Sequence, residues 1–99
     1  MDIQGMMRQA QKVQKDLKKK QGEIEAKEFA GKNGLVTILM SGAKTVKKVD
    51  IDRSSGILEE DFDVLEEMIE LAVNDVIGKI DKETKEKLGA MASGMQGLL

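Results

Sequence analysis

Basic side chains recur through the first 20 residues of the chain, and several of them fall on one side of a helix. Four are spaced four, three and four residues apart and would form one ridge: Arg8, Lys12, Lys15 and Lys19. Such a ridge can follow the phosphates of a polyanion, because each contact releases bound counterions. A solvated helix face is the alternative interpretation, since lysine is common on soluble helices and Asp16 lies in the same segment.

Charge is unevenly distributed along the chain, although the formal net charge is only −2. Residues 1–32 contain eight Lys/Arg and five Asp/Glu, whereas residues 57–99 contain four and eleven. A local positive field attracts a polyanion even when the whole molecule is acidic. The basic front part is therefore the candidate surface for a polyanionic partner.

The chain lacks the residue types on which most catalytic and metal sites depend. It has no cysteine and no histidine, which excludes thiolate ligands and the side chain that most readily moves protons near neutral pH. Seven carboxylates between Glu59 and Glu70 lack the pattern of an EF-hand loop, and helix capping and solubility explain them. We therefore expect no enzyme, no metal, no cofactor and no small-molecule substrate.

Aromatic residues are limited to Phe29 and Phe62. Proteins that bind single strands usually offer several stacking rings, and so do RNP-type RNA-binding domains. If the partner is a nucleic acid, the expected partner is double-stranded DNA contacted through its backbone.

A length of 99 residues predicts a single domain over residues 1–99. The spacing of apolar residues predicts the order helix, three strands, helix. The first helix follows a heptad stripe that begins at Ile3, and Gly22 marks a weak point near its end. Apolar residues at spacings of three and four predict the second helix, which Gly89 would end. Helix one is predicted over residues 3–24, helix two over 61–88 and a flexible tail over 89–99. Between the helices, three antiparallel strands are predicted over 24–30, 35–40 and 44–52, with turns at 31–34 and 42–43.

The predicted order of elements gives an α+β fold. The pattern of the middle strand further indicates that a second copy of the chain covers one face of its sheet. Its side chains alternate, so that apolar residues lie on both faces of the sheet. One chain supplies helices for one face, and a second subunit is the simplest cover for the other. We therefore expect an intertwined homodimer whose interface includes Leu35, Val36, Ile38, Leu39 and Met40.

The sequence also bears on cellular location. No apolar run approaches the roughly 20 residues that span a bilayer, and the first residues lack the layout of a signal peptide. The expected location is the cytoplasm, without a membrane partner.

Several short segments, in their order and spacing, resemble the YbaB/EbfC family of nucleoid-associated proteins. The resemblance covers essentially the whole chain. It is carried by MMRQAQKVQ at residues 6–14, GLVT at 34–37, SGA at 41–43, VDID at 49–52, LAVND at 71–75, KEKL at 85–88 and SGM at 93–95.

This resemblance implies a tight homodimer with protruding helices that associates with DNA in the bacterial nucleoid. Chromosome organisation and regulation of transcription follow from it as expected roles. When the family's DNA-binding role is carried over to this sequence, the four basic residues of the helix-one ridge are the first candidates for DNA contact. A second candidate group lies near the end of helix two: Lys82, Lys85 and Lys87.

Two other function classes remain open from the residues alone. An acidic, dimeric protein-binding module, such as a small chaperone or adaptor, would use the same sheet and bind a partner segment in a helix groove. An enzyme would need a pocket with a carboxylate or lysine of perturbed pKa, and no sequence motif points to one.

Overall fold

The computed structural model describes residues 2–54 and 56–96, with side chains as far as Gly89. The predicted α+β order of helix, three antiparallel strands and helix is confirmed. The elements are α1 (Ile3–Ala26), β1 (Glu28–Asn33), β2 (Val36–Ser41), β3 (Val46–Ile51), a single 3₁₀ turn (Glu59–Asp61) and α2 (Phe62–Gln96).

Helix α1 is longer than the sequence predicted. Asp2 caps its N-terminus by accepting a hydrogen bond from the backbone N–H of Gly5 at 3.1 Å. Gly22 does not interrupt the helix, which continues to Ala26 because Ile24 is buried and holds the last turn in place. The predicted start of the first strand at Ile24 is therefore wrong, and β1 begins at Glu28.

The first hairpin turn is also tighter than predicted. Residues 31–33, which the sequence assigned to the turn, belong to β1, and only Gly34 and Leu35 connect Asn33 to its cross-strand partner Val36. Gly34 has φ +54°, a conformation that glycine adopts without a Cβ penalty. A two-residue turn with glycine first matches the twist of an antiparallel pair.

The core lies between α2 and the first two strands of the sheet, whose order is β1-β2-β3. On α2, apolar residues at four-residue intervals form one buried face. They pack against the alternate side chains of β2 that point the same way. The buried cluster consists of Val36, Ile38, Met40, Ala72, Val76 and Ile80. Within a single chain, helix α2 therefore covers one face of β1 and β2.

Helix α2 leaves most of the third strand uncovered, although Ile51 at the end of β3 packs against the buried cluster. Its contacts with the sheet are mainly to β1 and β2. Cross-strand pairing places Val49 opposite Ile38 and Val46 opposite Met40, on the α2 side of the sheet. Lys47 has no cross-strand partner and forms a bulge, which keeps both valines on that side. Their side chains are nonetheless 48% and 52% exposed, for Val46 and Val49 respectively.

The end of α2 differs from the prediction. The helix continues through Gly89 to Gln96 instead of ending at Leu88, so the predicted flexible tail is helical over residues 89–96. Residues 97–99 lie outside the described residues. One glycine costs a helix interior about 1 kcal/mol relative to alanine, which is too little to end a helix flanked by good helix formers.

Candidate nucleic-acid interface

Helix α1 extends away from the sheet, which makes the described part of the chain long and narrow at 72 × 19 × 14 Å. Its apolar stripe faces α2, which packs against it. Burial decreases toward the N-terminus: Ile24 is 4% exposed, whereas Met6 is 58% and Ile3 is 67% exposed. The rest of the α1 circumference is open to a large partner.

The predicted ridge exists as a continuous exposed surface on this open side of α1. All four of its members are exposed. At about 100° per residue they lie within an arc of about 60°, opposite the apolar stripe, and they span about 16 Å along the axis. None of them forms an ion pair with another described residue. We call this set the basic ridge: Arg8, Lys12, Lys15 and Lys19.

The second predicted basic group is not one surface. Lys82, Lys85 and Lys87 are all exposed, but Lys85 and Lys87 point about 160° apart around α2 at 100° per residue. Lys87 faces α1 and lines a cavity together with Glu23, Ile24, Lys27 and Glu83. The spacing of five between Lys82 and Lys87 already indicates this division, because residues on one helix face recur at three and four.

An ion pair anchors the base of α1 to α2 beside Lys87. The Nζ of Lys27 donates to Oε1 of Glu83 at 2.6 Å, and the same ammonium lies 5.2 Å from the ring centre of Phe29. The hydrogen bond from Lys27 lowers the pKa of Glu83, and the charge of Lys87 adds to this effect. Sequence reasoning missed this contact, because the two residues are 56 positions apart.

A glycine on the β2–β3 turn sets how closely α1 approaches the sheet. The N–H of Gly42 donates to the carbonyl oxygen of Lys27 at 2.9 Å. A Cβ at Gly42 would contact the carbonyl oxygen of Ile24 and lie 2.5 Å from its carbonyl carbon, distances that backbone atoms cannot tolerate. The absence of a side chain at Gly42 therefore lets the C-terminal end of α1 lie directly against the β2–β3 turn.

The residues predicted for a dimer interface divide between two environments. Val36, Ile38 and Met40 are 0–3% exposed within one chain, because α2 already covers them. Leu35 and Leu39 are half-buried. On the α2 side of the sheet, the strand residues that stay exposed and apolar in one chain are Val46 and Val49 of β3.

The described residues can also be compared with the requirements of a ligand pocket, a metal site and a membrane-spanning helix. A cavity of about 200 Å³ near the start of α2 is lined mainly by apolar side chains, including Leu35, Ile57 and Leu65. Within residues 2–54 and 56–96, no three His, Cys, Asp or Glu side chains are grouped to hold a metal ion. No helix in these ranges is long and apolar enough to cross a membrane.

Comparison with known proteins gives a consistent result. A nucleoid-associated protein of Enterococcus faecalis is 42% identical over 98 residues, which cover 97% of this chain and 93% of that protein. The crystal structure of an uncharacterised protein from Helicobacter pylori matches with a TM-score of 0.75 and 19% identity, over 93% of this chain and 98% of the other, and so shares the fold. The model of the YbaB/EbfC DNA-binding family matches residues 1–95, and the chain belongs to this family.

Proposed function

We propose that the protein associates with the bacterial nucleoid by binding double-stranded DNA through the basic ridge of α1. The observation that carries the proposal is that four exposed cations share one helix face and form no ion pair with the described residues. Free cations can neutralise phosphates without first breaking an internal pair. Such contacts position a protein on DNA and depend little on base sequence.

The distribution of negative charge supports the same orientation. The carboxylates between Glu59 and Glu70 lie around the start of α2, at the opposite end of that helix from the part that packs against α1. Repulsion between carboxylates and phosphates keeps the start of α2 away from the duplex. The proposal includes no catalytic step and no cofactor, and it implies a location in the cytoplasm with the chromosome.

The functional unit in this proposal is a homodimer. Val46 and Val49 extend the apolar side of the sheet beyond α2 and stay half exposed in one chain, and a second copy that covers β3 would remove them from water. The association of a small domain also enlarges a thin core. Two basic ridges on one dimer would raise affinity, because the second contact becomes intramolecular.

Fluorescence anisotropy of a labelled duplex of about 30 base pairs, at two salt concentrations, tests DNA binding. We expect saturable binding that weakens with salt. We also expect that Lys12→Ala and Lys15→Ala each weaken binding on every sequence and lower the salt slope by about one. Lys20→Ala is the matched control, because it removes the same charge from α1 about 110° away from the centre of the ridge.

Unchanged affinity in both ridge variants would exclude α1 as the DNA-binding surface. A folded wild-type protein that binds no duplex at low salt would contradict the proposal itself. In that case the acidic protein-binding module would become the main alternative, although family membership does not favour it.

A further inference from the structure

Two exposed glutamines border the basic ridge on one side. Gln4 and Gln11 are seven residues apart, which is close to two full turns, so they lie nearly above one another on α1. At about 100° per residue, Gln11 is about 40° from Lys15 and about 60° from Arg8 around the helix. Both amides are exposed, and they are displaced from the apolar stripe that packs against α2.

The other border of the ridge has a different chemical character. Asp16 is exposed there, at about 70° from the centre of the ridge and on the side away from the glutamines. A carboxylate near the DNA backbone is repelled by phosphate, whereas an amide is not. A duplex bound to the basic ridge is therefore expected to lie closer to the glutamine side than to the Asp16 side.

We propose that Gln4 and Gln11 read adenine edges in the major groove while the basic ridge holds the flanking phosphates. The inference rests on the proposed function of the ridge. A glutamine amide has a donor and an acceptor that match N6 and N7 of adenine, a pattern presented only in the major groove. The groove is about 12 Å wide, which admits one α-helix.

The spacing of the two amides fits this assignment. At 1.5 Å per residue, Gln4 and Gln11 are about 10 Å apart along the axis of α1. Three base-pair steps of about 3.4 Å cover the same length of duplex. The two glutamines therefore reach separate base pairs, and the protein has a mild sequence preference in addition to its backbone affinity.

The test begins with selection of duplexes from a random library by the wild-type protein at moderate salt. Selected duplexes are then synthesised with 7-deazaadenine in place of adenine, which removes only the N7 acceptor from the major groove. We expect the wild-type protein to lose at least about 5-fold in affinity, the lower end of the range for a bidentate contact, because each contact loses one of its two hydrogen bonds. Gln4→Ala and Gln11→Ala should each respond less, because one of their contacts is already absent.

Gln9→Ala is the matched control, since Gln9 is exposed on α1 but lies about 160° from Gln11 around the helix. It should keep the wild-type response to 7-deazaadenine. Alanine favours helices more than glutamine does, so none of these variants is expected to unfold.

Three outcomes would overturn the inference: a selection that does not enrich adenine, wild-type binding that is unchanged by 7-deazaadenine, or glutamine variants that respond as the wild type does. In each of them duplex DNA is still bound, so the proposed function stands, and the Lys12→Ala and Lys15→Ala variants test the ridge separately. Absence of binding to any duplex is the distinct result that removes both.

Discussion

Asp75 and Lys79, one turn apart on α2, hold neighbouring backbone groups of the edge strand β1. Oδ2 of Asp75 accepts a hydrogen bond from the N–H of Lys32 at 3.1 Å, and Nζ of Lys79 donates to the carbonyl oxygen of Ala30 at 2.9 Å. The two side chains also pair with each other at 3.3 Å. The outer edge of β1 is thereby closed to pairing with another strand, which leaves β3 as the open edge.

The Asp75 contact predicts a loss of stability in acid. The N–H of Lys32 and then the side chain of Lys79 lower the pKa of Asp75 from its ordinary value of 3.8. A carboxyl group with a lower pKa in the folded state stabilises the fold above the unfolded pKa, and this contribution disappears as the pH falls through the folded pKa. Asp75→Asn should therefore unfold more easily at neutral pH and lose less stability on acidification.

Urea denaturation of both proteins at about pH 7 and about pH 3 measures this difference. Asp52 and Glu83, whose pKa values are also lowered, remain in the variant and keep part of the pH dependence. An equal loss in the two proteins would show that Asp75 does not contribute.

Substitution of Gly31 should disrupt the packing of α2 on β1. A Cβ at this position would contact the carbonyl oxygen of Ala72 and lie 2.6 Å from the backbone nitrogen of Val76. Because backbone atoms must move to make room, we expect Gly31→Ala to lower the free energy of unfolding by about 2 kcal/mol or more.

Gly78→Ala is the control for this substitution, since a Cβ at Gly78 meets no other atom within 4 Å. It should stabilise α2 by up to about 1 kcal/mol. Thermal unfolding of both variants compares them, and equal melting temperatures would contradict the close approach of α2 to β1.

Gly42→Ala should change the direction of α1. The added methyl group would contact the carbonyl group of Ile24, so the base of the helix must shift away from the β2–β3 turn. We expect lower stability and, at a temperature where the variant stays folded, weaker binding to duplex DNA. Gly22→Ala, which adds a methyl group in open space on the same helix, should leave DNA affinity unchanged. Wild-type affinity in Gly42→Ala would show that ridge direction does not matter.

A charge on the exposed side of β3 should separate the proposed dimer. Val49 is 52% exposed in one chain, so the protomer tolerates Val49→Lys, whereas an interface that buries this side chain does not. Sedimentation velocity should show monomers for this variant. Asp50→Lys places the same side chain on the opposite face of β3 and should remain dimeric. A Val49→Lys protein that stays dimeric would place the interface elsewhere.

The amino-acid sequence was sufficient for the features that depend on local periodicity. Spacings of three and four defined both helices and placed the basic ridge on one face, and alternation identified β2 as a strand with apolar residues on both faces. The absence of cysteine and histidine limited the possible chemistry through composition alone. Family membership also followed from short segments whose order and spacing are visible along the chain.

Only the tertiary structure decided the features that depend on contacts between distant residues. The burial of Ile24 extended α1 past Gly22. Helix α2 covers Ile38 and Met40 but leaves Val46 and Val49 exposed on the same face of the sheet. Ion pairs such as Lys27 with Glu83 produce no recognisable spacing in the sequence, because they form only when two distant segments pack together. Periodicity determines which side of an element is apolar, but the packing of the folded chain determines which neighbour covers it.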